Sequence, residues 1–117
     1  MRQIARIDVE THGDIAVARI EGEVDMSNAQ ALGERLRGVL TNRSEGLIVD
    51  LGPTTYLDSS GITLVFELLE ELRRRQQQLH VVVPESSPLR RVMTIVGLDQ
   101  VAPLHGSVDA ALQRAAR

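Results

Sequence analysis

The chain contains no cysteine, which removes disulfide frameworks and thiolate metal sites and fits a reducing compartment. It contains no lysine either, so all 13 basic side chains are arginine. That bias reads as codon usage in the source genome. Its only aromatic residues are Tyr56 and Phe66; Phe66 is expected to pack and Tyr56 to lie near the functional stretch described below. Apolar runs extend for only a few residues, whereas a helical membrane span needs about 20. Met1 to Glu10 mixes charged and apolar residues without a continuous apolar run, so no signal peptide and a cytoplasmic location are expected. A net charge of -3 lacks the basic face that neutralises phosphates, so no direct nucleic-acid partner is expected.

What is present has the balance of a globular domain. Hydrophobic residues make up 43% and charged residues 25% of 117 residues, enough for one core and too few residues for two. The expectation is a single domain over 1–117. Apolar alternation through Ile7 and Val9, the turn His12-Gly13-Asp14, and Ile15, Val17 and Ile20 predict a hairpin. Gly22 and the polar run after it end the second strand. Ser27 and Asn28 then offer caps, with Gln30 placed as in a capping box. Ala29, Leu32, Leu36, Val39 and Leu40 recur at helical spacing.

Leu47-Ile48-Val49 reads as a strand buried on both faces. A loop leads from Asp50 to Tyr56-Leu57. From Asp58 a second helix is predicted, with Ile62, Val65, Leu69 and Leu72 as its inner stripe. Leu79 to Val83 is another buried strand stopped by Pro84. A third helix is capped by Ser86 or Ser87, has Pro88 in its first turn, turns Leu89, Val92, Met93 and Val96 inward, and ends at Gly97. A short strand around Val101 to Leu104 and a last helix from about Ser107 complete the chain. Strand–helix alternation of this kind predicts α/β architecture: a mixed four- to five-stranded sheet with about four helices packed on it.

The stretch with chemistry in it is Asp58-Ser59-Ser60-Gly61. It places two hydroxyls at a helix start, where backbone N–H groups lack intrahelical acceptors and carry partial positive charge. A phosphate on Ser59 there would find donors and a favourable dipole. Beside Asp58 it would gather about three negative charges in one patch. Asp and Ser are also ordinary helix caps, so cap and modification site are both open, and both can hold together. Ser60 is the rival acceptor; chain position alone does not separate the two.

With Gly22-Glu23-Val24-Asp25, Leu47-Ile48-Val49-Asp50-Leu51, Asp58-Ser59-Ser60-Gly61 and Pro88 to Leu98 in this order, the chain resembles the STAS-domain anti-sigma factor antagonists of bacteria over nearly its whole length. The resemblance implies a STAS-like fold and a partner-switching role in transcription and stress response. It implies phosphorylation of Ser59 by an anti-sigma factor serine kinase, release of that partner on phosphorylation, and reversal by a serine phosphatase. The surface it implies centres on Asp58, Ser59, Ser60, Gly61, Ile62 and Thr63, joined by the loop carrying Asp25, Ser27 and Asn28. Whether Asp25 belongs to the surface or only marks a strand exit stays open.

No cofactor or metal is expected. His12, His80 and His105 lack the i,i+4 spacing of a metal pair. Ser59 lacks the G-x-S-x-G elbow of a hydrolase nucleophile, so no catalytic residue is assigned and no enzyme is expected. Arg73-Arg74-Arg75 reads as a solvated helix end. The free protein is expected to be a monomer. A competing role is that of a STAS accessory subunit in a lipid or anion transport complex, where the serine is only a cap. A neighbouring gene for a kinase-like ATPase favours the regulator, and one for a permease favours the accessory subunit.

Overall fold

The tight turn at Gly13, with φ of 63°, closes the predicted hairpin. β1 (Arg6–His12) runs antiparallel to β2 (Ile15–Val24), in register from Arg6↔Glu21 to His12↔Ile15. The computed structural model describes residues 5–40 and 45–115, and part of the predicted loop at 41–46 lies outside them. α1 (Ala29–Val39) follows, then β3 (Gly46–Asp50), all of whose residues are buried. β3 pairs parallel with the first half of β2, Ile15↔Gly46 to Arg19↔Asp50.

The sequence-based expectation departs from the structure just beyond Asp50. Its buried carboxylate accepts from Gly52 N–H at 2.8 Å and from Arg19 Nε at 3.2 Å, which turns the chain. Thr54 Oγ1 donates to the Ile20 carbonyl at 2.7 Å. The chain then forms β4 (Thr54–Leu57), parallel to the far half of β2 with Glu23↔Tyr56 and Val24↔Leu57. Gly22 does not end β2. It sits at φ 103° beside a register shift, a backbone state glycine reaches without steric cost. This bulge lets one strand accept two successive parallel neighbours.

α2 (Ser59–Arg74), β5 (Gln78–Val82) and α3 (Pro88–Ile95) come next, with Ser87 Oγ accepting from Leu89 N–H at 3.1 Å as the cap. Leu89 and Met93 turn inward as predicted and Val92 is half-buried, but Val96 is exposed, as is Ile95 at 71%. A 3₁₀ turn at Leu98–Gln100, β6 (Leu104–His105) and α4 (Val108–Ala115) complete the chain. The sheet order is β1-β2-β3-β5-β6 with β4 beside β2. This is the expected mixed sheet with four helices; β4 brings the strands to six among the described residues.

Alternation along the strands loads both faces. Ala16, Ala18, Leu47, Val49, Leu79 and Val81 pack with residues of α1, α2 and α3, and Ile15, Val17, Ile48 and Val82 pack with Ala111 and Ala115 of α4. On the α4 side lies a feature the spacing of the histidines does not reveal. His80, 2% exposed, and His105 meet with Nδ1···Nε2 at 3.0 Å, and His80 Nε2 lies 3.0 Å from Gln78 Oε1. With the Gln78 oxygen as acceptor, His80 Nε2 carries the proton, so His105 Nε2–H donates to His80 Nδ1. Two neutral rings satisfy this chain, and a doubly protonated pair would not.

Burial lowers the pKa of both rings from 6.5, helped for His80 by His105 and Arg114 and for His105 by Arg114 and Arg90. The unfolded chain therefore binds protons before the folded one, so stability falls as pH drops from about 6.5 through the lowered folded values. Urea unfolding at pH 7.5 and at pH 5.5 checks this. The His80→Gln/His105→Gln double variant should show a flatter dependence, and an equal slope in both proteins would refute the assignment.

Candidate functional site

The pairing of Val24 with Leu57 makes two chain segments leave the sheet side by side, one toward α1 and one into α2. Asp58 N–H donates to the Val24 carbonyl at 3.1 Å and ties them together. The loop 25–28 and the head of α2 are thus one surface, although Asn28 and Asp58 lie 30 positions apart in sequence.

At the head of α2, Asp58 is the N-cap. Its Oδ1 accepts from Ser60 N–H at 2.8 Å and Gly61 N–H at 3.2 Å. Two of the first-turn donors expected to serve a phosphate are therefore already engaged, which corrects the expectation drawn from the bare helix end. Ser59 is exposed and Ser60 is half-buried. Gly61 is buried for a packing reason. A Cβ on it would collide with Leu57 Cδ1 and stand 3.0 Å from Val24 Cγ1, so only glycine lets α2 start this close to the ends of β2 and β4. Ile62 is half-buried and packs against the core, and Thr63 is exposed.

The 25–28 loop is built on its own side chains. Asp25 is only 5% exposed. Its Oδ1 accepts from Ser27 N–H at 2.9 Å and from Ser27 Oγ, an Asx-type turn. Asn28 does not cap α1 with its side chain, as the sequence predicted. It accepts from Asp25 N–H at 3.0 Å through Oδ1 and donates to the Glu23 carbonyl at 2.9 Å through Nδ2. The predicted capping box is therefore replaced by a loop lock. Asp25, expected as a contact, acts by shaping the turn; Ser27 is exposed and Asn28 half-exposed.

The turn pushes Met26 outward. At 81% exposure it is the most exposed large hydrophobic residue of the described chain. No helical or strand stripe includes Met26, so periodicity could not flag it. Its one sequence signal is an apolar residue set between Asp25 and Ser27. Tyr56, 50% exposed, lies on β4 opposite Glu23.

Between α1 and α2 runs a groove of about 380 Å³, which Met26, Gln30, Ser59, Ser60 and Thr63 line together with Arg37. Arg37 is its one cation among the described residues. Arg37 Nε donates to Glu71 Oε1 at 3.0 Å, and Nη2 lies 4.0 Å from Glu67 Oε1. The surface so built has an accessible hydroxyl, an apolar anchor and a charged edge where Arg37 meets Glu67 and Glu71, which suits protein docking. Among the described residues no three side chains group as metal ligands, and no helix is long and apolar enough to cross a membrane.

Comparison with known proteins places this geometry. The STAS domain profile matches residues 6–111. The anti-sigma-F factor antagonist RsfB of Mycobacterium tuberculosis is 30% identical over 106 residues, which cover 91% of this chain and 85% of RsfB. The crystal structure of an anti-sigma factor antagonist from Mycobacterium paratuberculosis superposes with a TM-score of 0.87 at 28% identity, over 97% of this chain and 96% of that one. Bacillus SpoIIAA in its phosphorylated form shares the fold, with a TM-score of 0.70 at 20% identity over 93% of this chain and 98% of SpoIIAA.

Proposed function

Because the chain belongs to the STAS-domain family of anti-sigma factor antagonists, we propose that it is a cytoplasmic partner switch gated by phosphorylation of Ser59. In its unmodified form it binds a kinase-type anti-sigma factor and so frees a sigma factor. Phosphate on Ser59 ends that binding, and a serine phosphatase restores it. The protein is the substrate of this cycle and not its catalyst, and it needs no contact with nucleic acid.

The observation that carries the reading is the exposure of Ser59 at the head of α2, beside Met26 and above the Asp58 cap. Ser60 is half-buried, which favours Ser59 as acceptor. Because Asp58 holds the cap through Ser60 and Gly61 N–H, modification at Ser59 leaves α2 intact. Its effect falls on the partner, which meets bulk and about -1.5 to -2 of added charge where a neutral hydroxyl stood. SpoIIAA, solved in a phosphorylated form, supports the compatibility of this fold with such a group.

The experiment is intact mass after incubation with ATP and the kinase-type partner, with Ser59→Ala as control. One added phosphate on the wild type and none on the variant is the expected result. No addition by a partner that is active on another antagonist would sink the reading, and addition that persists in Ser59→Ala would move the site off Ser59, with Ser60 the next variant to make.

A further inference from the structure

At its own helix end the modified Ser59 stands next to Asp58, which adds negative charge and already occupies the N–H groups of Ser60 and Gly61. Across the groove it shares one cationic side chain, Arg37. Arg37 does not point away from that groove. Its Nη1 lies 2.9 Å from where a Cβ on Gly33 would stand, and that point is 2.8 Å from Leu64 Cδ1. Nη1 thus reaches toward the level of Leu64, five residues along α2 from Ser59, or ~7.5 Å along the helix axis at ~1.5 Å per residue, while Nε is held farther along by Glu71. The absence of a side chain at Gly33 leaves its path along α1 open.

Its present partners hold it weakly. The side chains of Arg37, Glu71 and Glu67 are 36%, 26% and 61% exposed, and solvated ion pairs of this kind contribute little. A phosphate offers a guanidinium fork two parallel charge-assisted hydrogen bonds and up to twice the charge of a carboxylate.

We propose that Arg37 reads the phosphate in cis: on modification of Ser59 its guanidinium leaves Glu71 and Glu67 and pairs with the phosphate across the groove, closing the groove beside Met26. This rests on the Ser59 switch proposed above and adds a second way of excluding the partner, by loss of the groove as well as by charge.

The test avoids the kinase by installing phosphoserine directly at position 59 of the full chain. The second ionisation of the phosphate is then followed by ³¹P NMR. In the phosphorylated wild type its pKa should lie roughly half a unit or more below that of phosphorylated Arg37→Gln. Asp58, Glu67 and Glu71 push the same ionisation upward, and Arg37→Lys, which keeps a positive charge beside Glu67 and Glu71, separates pairing by the guanidinium fork from mere loss of charge. Arg35→Gln, which removes an exposed charge of α1 outside the groove, should leave the wild-type value unchanged. Arg37→Lys should recover part of the shift, as charge without the fork.

Equal phosphate pKa values in the wild type and Arg37→Gln would overturn the proposal. An equal shift in Arg35→Gln would overturn it too, by showing a general charge effect. Binding of the same phosphorylated wild type to the kinase-type partner is measured separately. Undiminished binding there would refute the switch, while the ³¹P titration alone decides whether Arg37 pairs with the phosphate.

Discussion

Ser59→Asp will weaken binding to the kinase-type partner by about a hundredfold, and Ser59→Ala will leave it near the wild-type value. The aspartate puts one carboxylate beside Asp58 at the exposed head of α2. A partner face shaped to a neutral hydroxyl must then desolvate and accommodate a charge it does not complement. About 2.7 kcal/mol corresponds to the hundredfold loss, within the range measured for unpaired charges at interfaces. Phosphate, with nearly twice the charge, should act more strongly. Alanine removes one oxygen from a solvated position and leaves the Asp58 cap, Met26 and Thr63 in place. Calorimetric titration of each variant into the purified partner distinguishes them. Equal affinity of the two variants would disprove gating at Ser59.

The second large effect lies on the inner face of the same helix. Leu68 is fully buried between α2 and the sheet. Leu68→Ala should cost about 3–5 kcal/mol, the transfer term plus a cavity that the packed sheet cannot close. For a domain whose whole stability is on the order of 5–15 kcal/mol, that is a large share. Urea unfolding should show the midpoint falling with the slope m unchanged. Ser59→Asp, in contrast, should unfold within about 0.5 kcal/mol of wild type, as a surface change whose charge favours the helix N-terminus. A loss under about 1 kcal/mol in Leu68→Ala would contradict the assigned core. The pair of variants separates what α2 does for the fold from what it presents to a partner: one breaks stability, the other binding.

Much of this arrangement was legible in the sequence because it is written in local signals. Leu47-Ile48-Val49 and Leu79 to Val83 are nearly continuous apolar runs, the mark of strands covered on both sides. The α2 stripe and the Asp58 cap follow from helical spacing and from a carboxylate's reach to N–H groups two and three residues on. Gly97, at φ 82°, follows the end of α3 where a left-handed residue is expected.

β4 was not legible. Thr54 to Leu57 is four residues long, follows a proline and buries only its two ends, so neither alternation nor a continuous run marks it. With β4 missing, Gly22 reads as the end of β2, when it is the bulge that lets β2 continue. The side-chain lock of Asn28 was equally hidden. Its partners are backbone groups of Glu23 and Asp25, and a cap and a loop lock require the same residue type.

By itself the sequence determined the α/β alternation, the buried strands, the position of Ser59 at a helix start and the STAS family. The first three depend on periodicity and on neighbours a few residues apart, and the family on the resemblance carried by four short motifs in order. Only the tertiary structure decided which surface Ser59 belongs to. Parallel pairing of β4 with β2 brings Asp58 against Val24, and packing of α1 on α2 sets Arg37 and Met26 in the groove of Ser59. Contacts between residues more than 20 positions apart leave no trace in local spacing, because the groups that satisfy them are chosen when the layers pack.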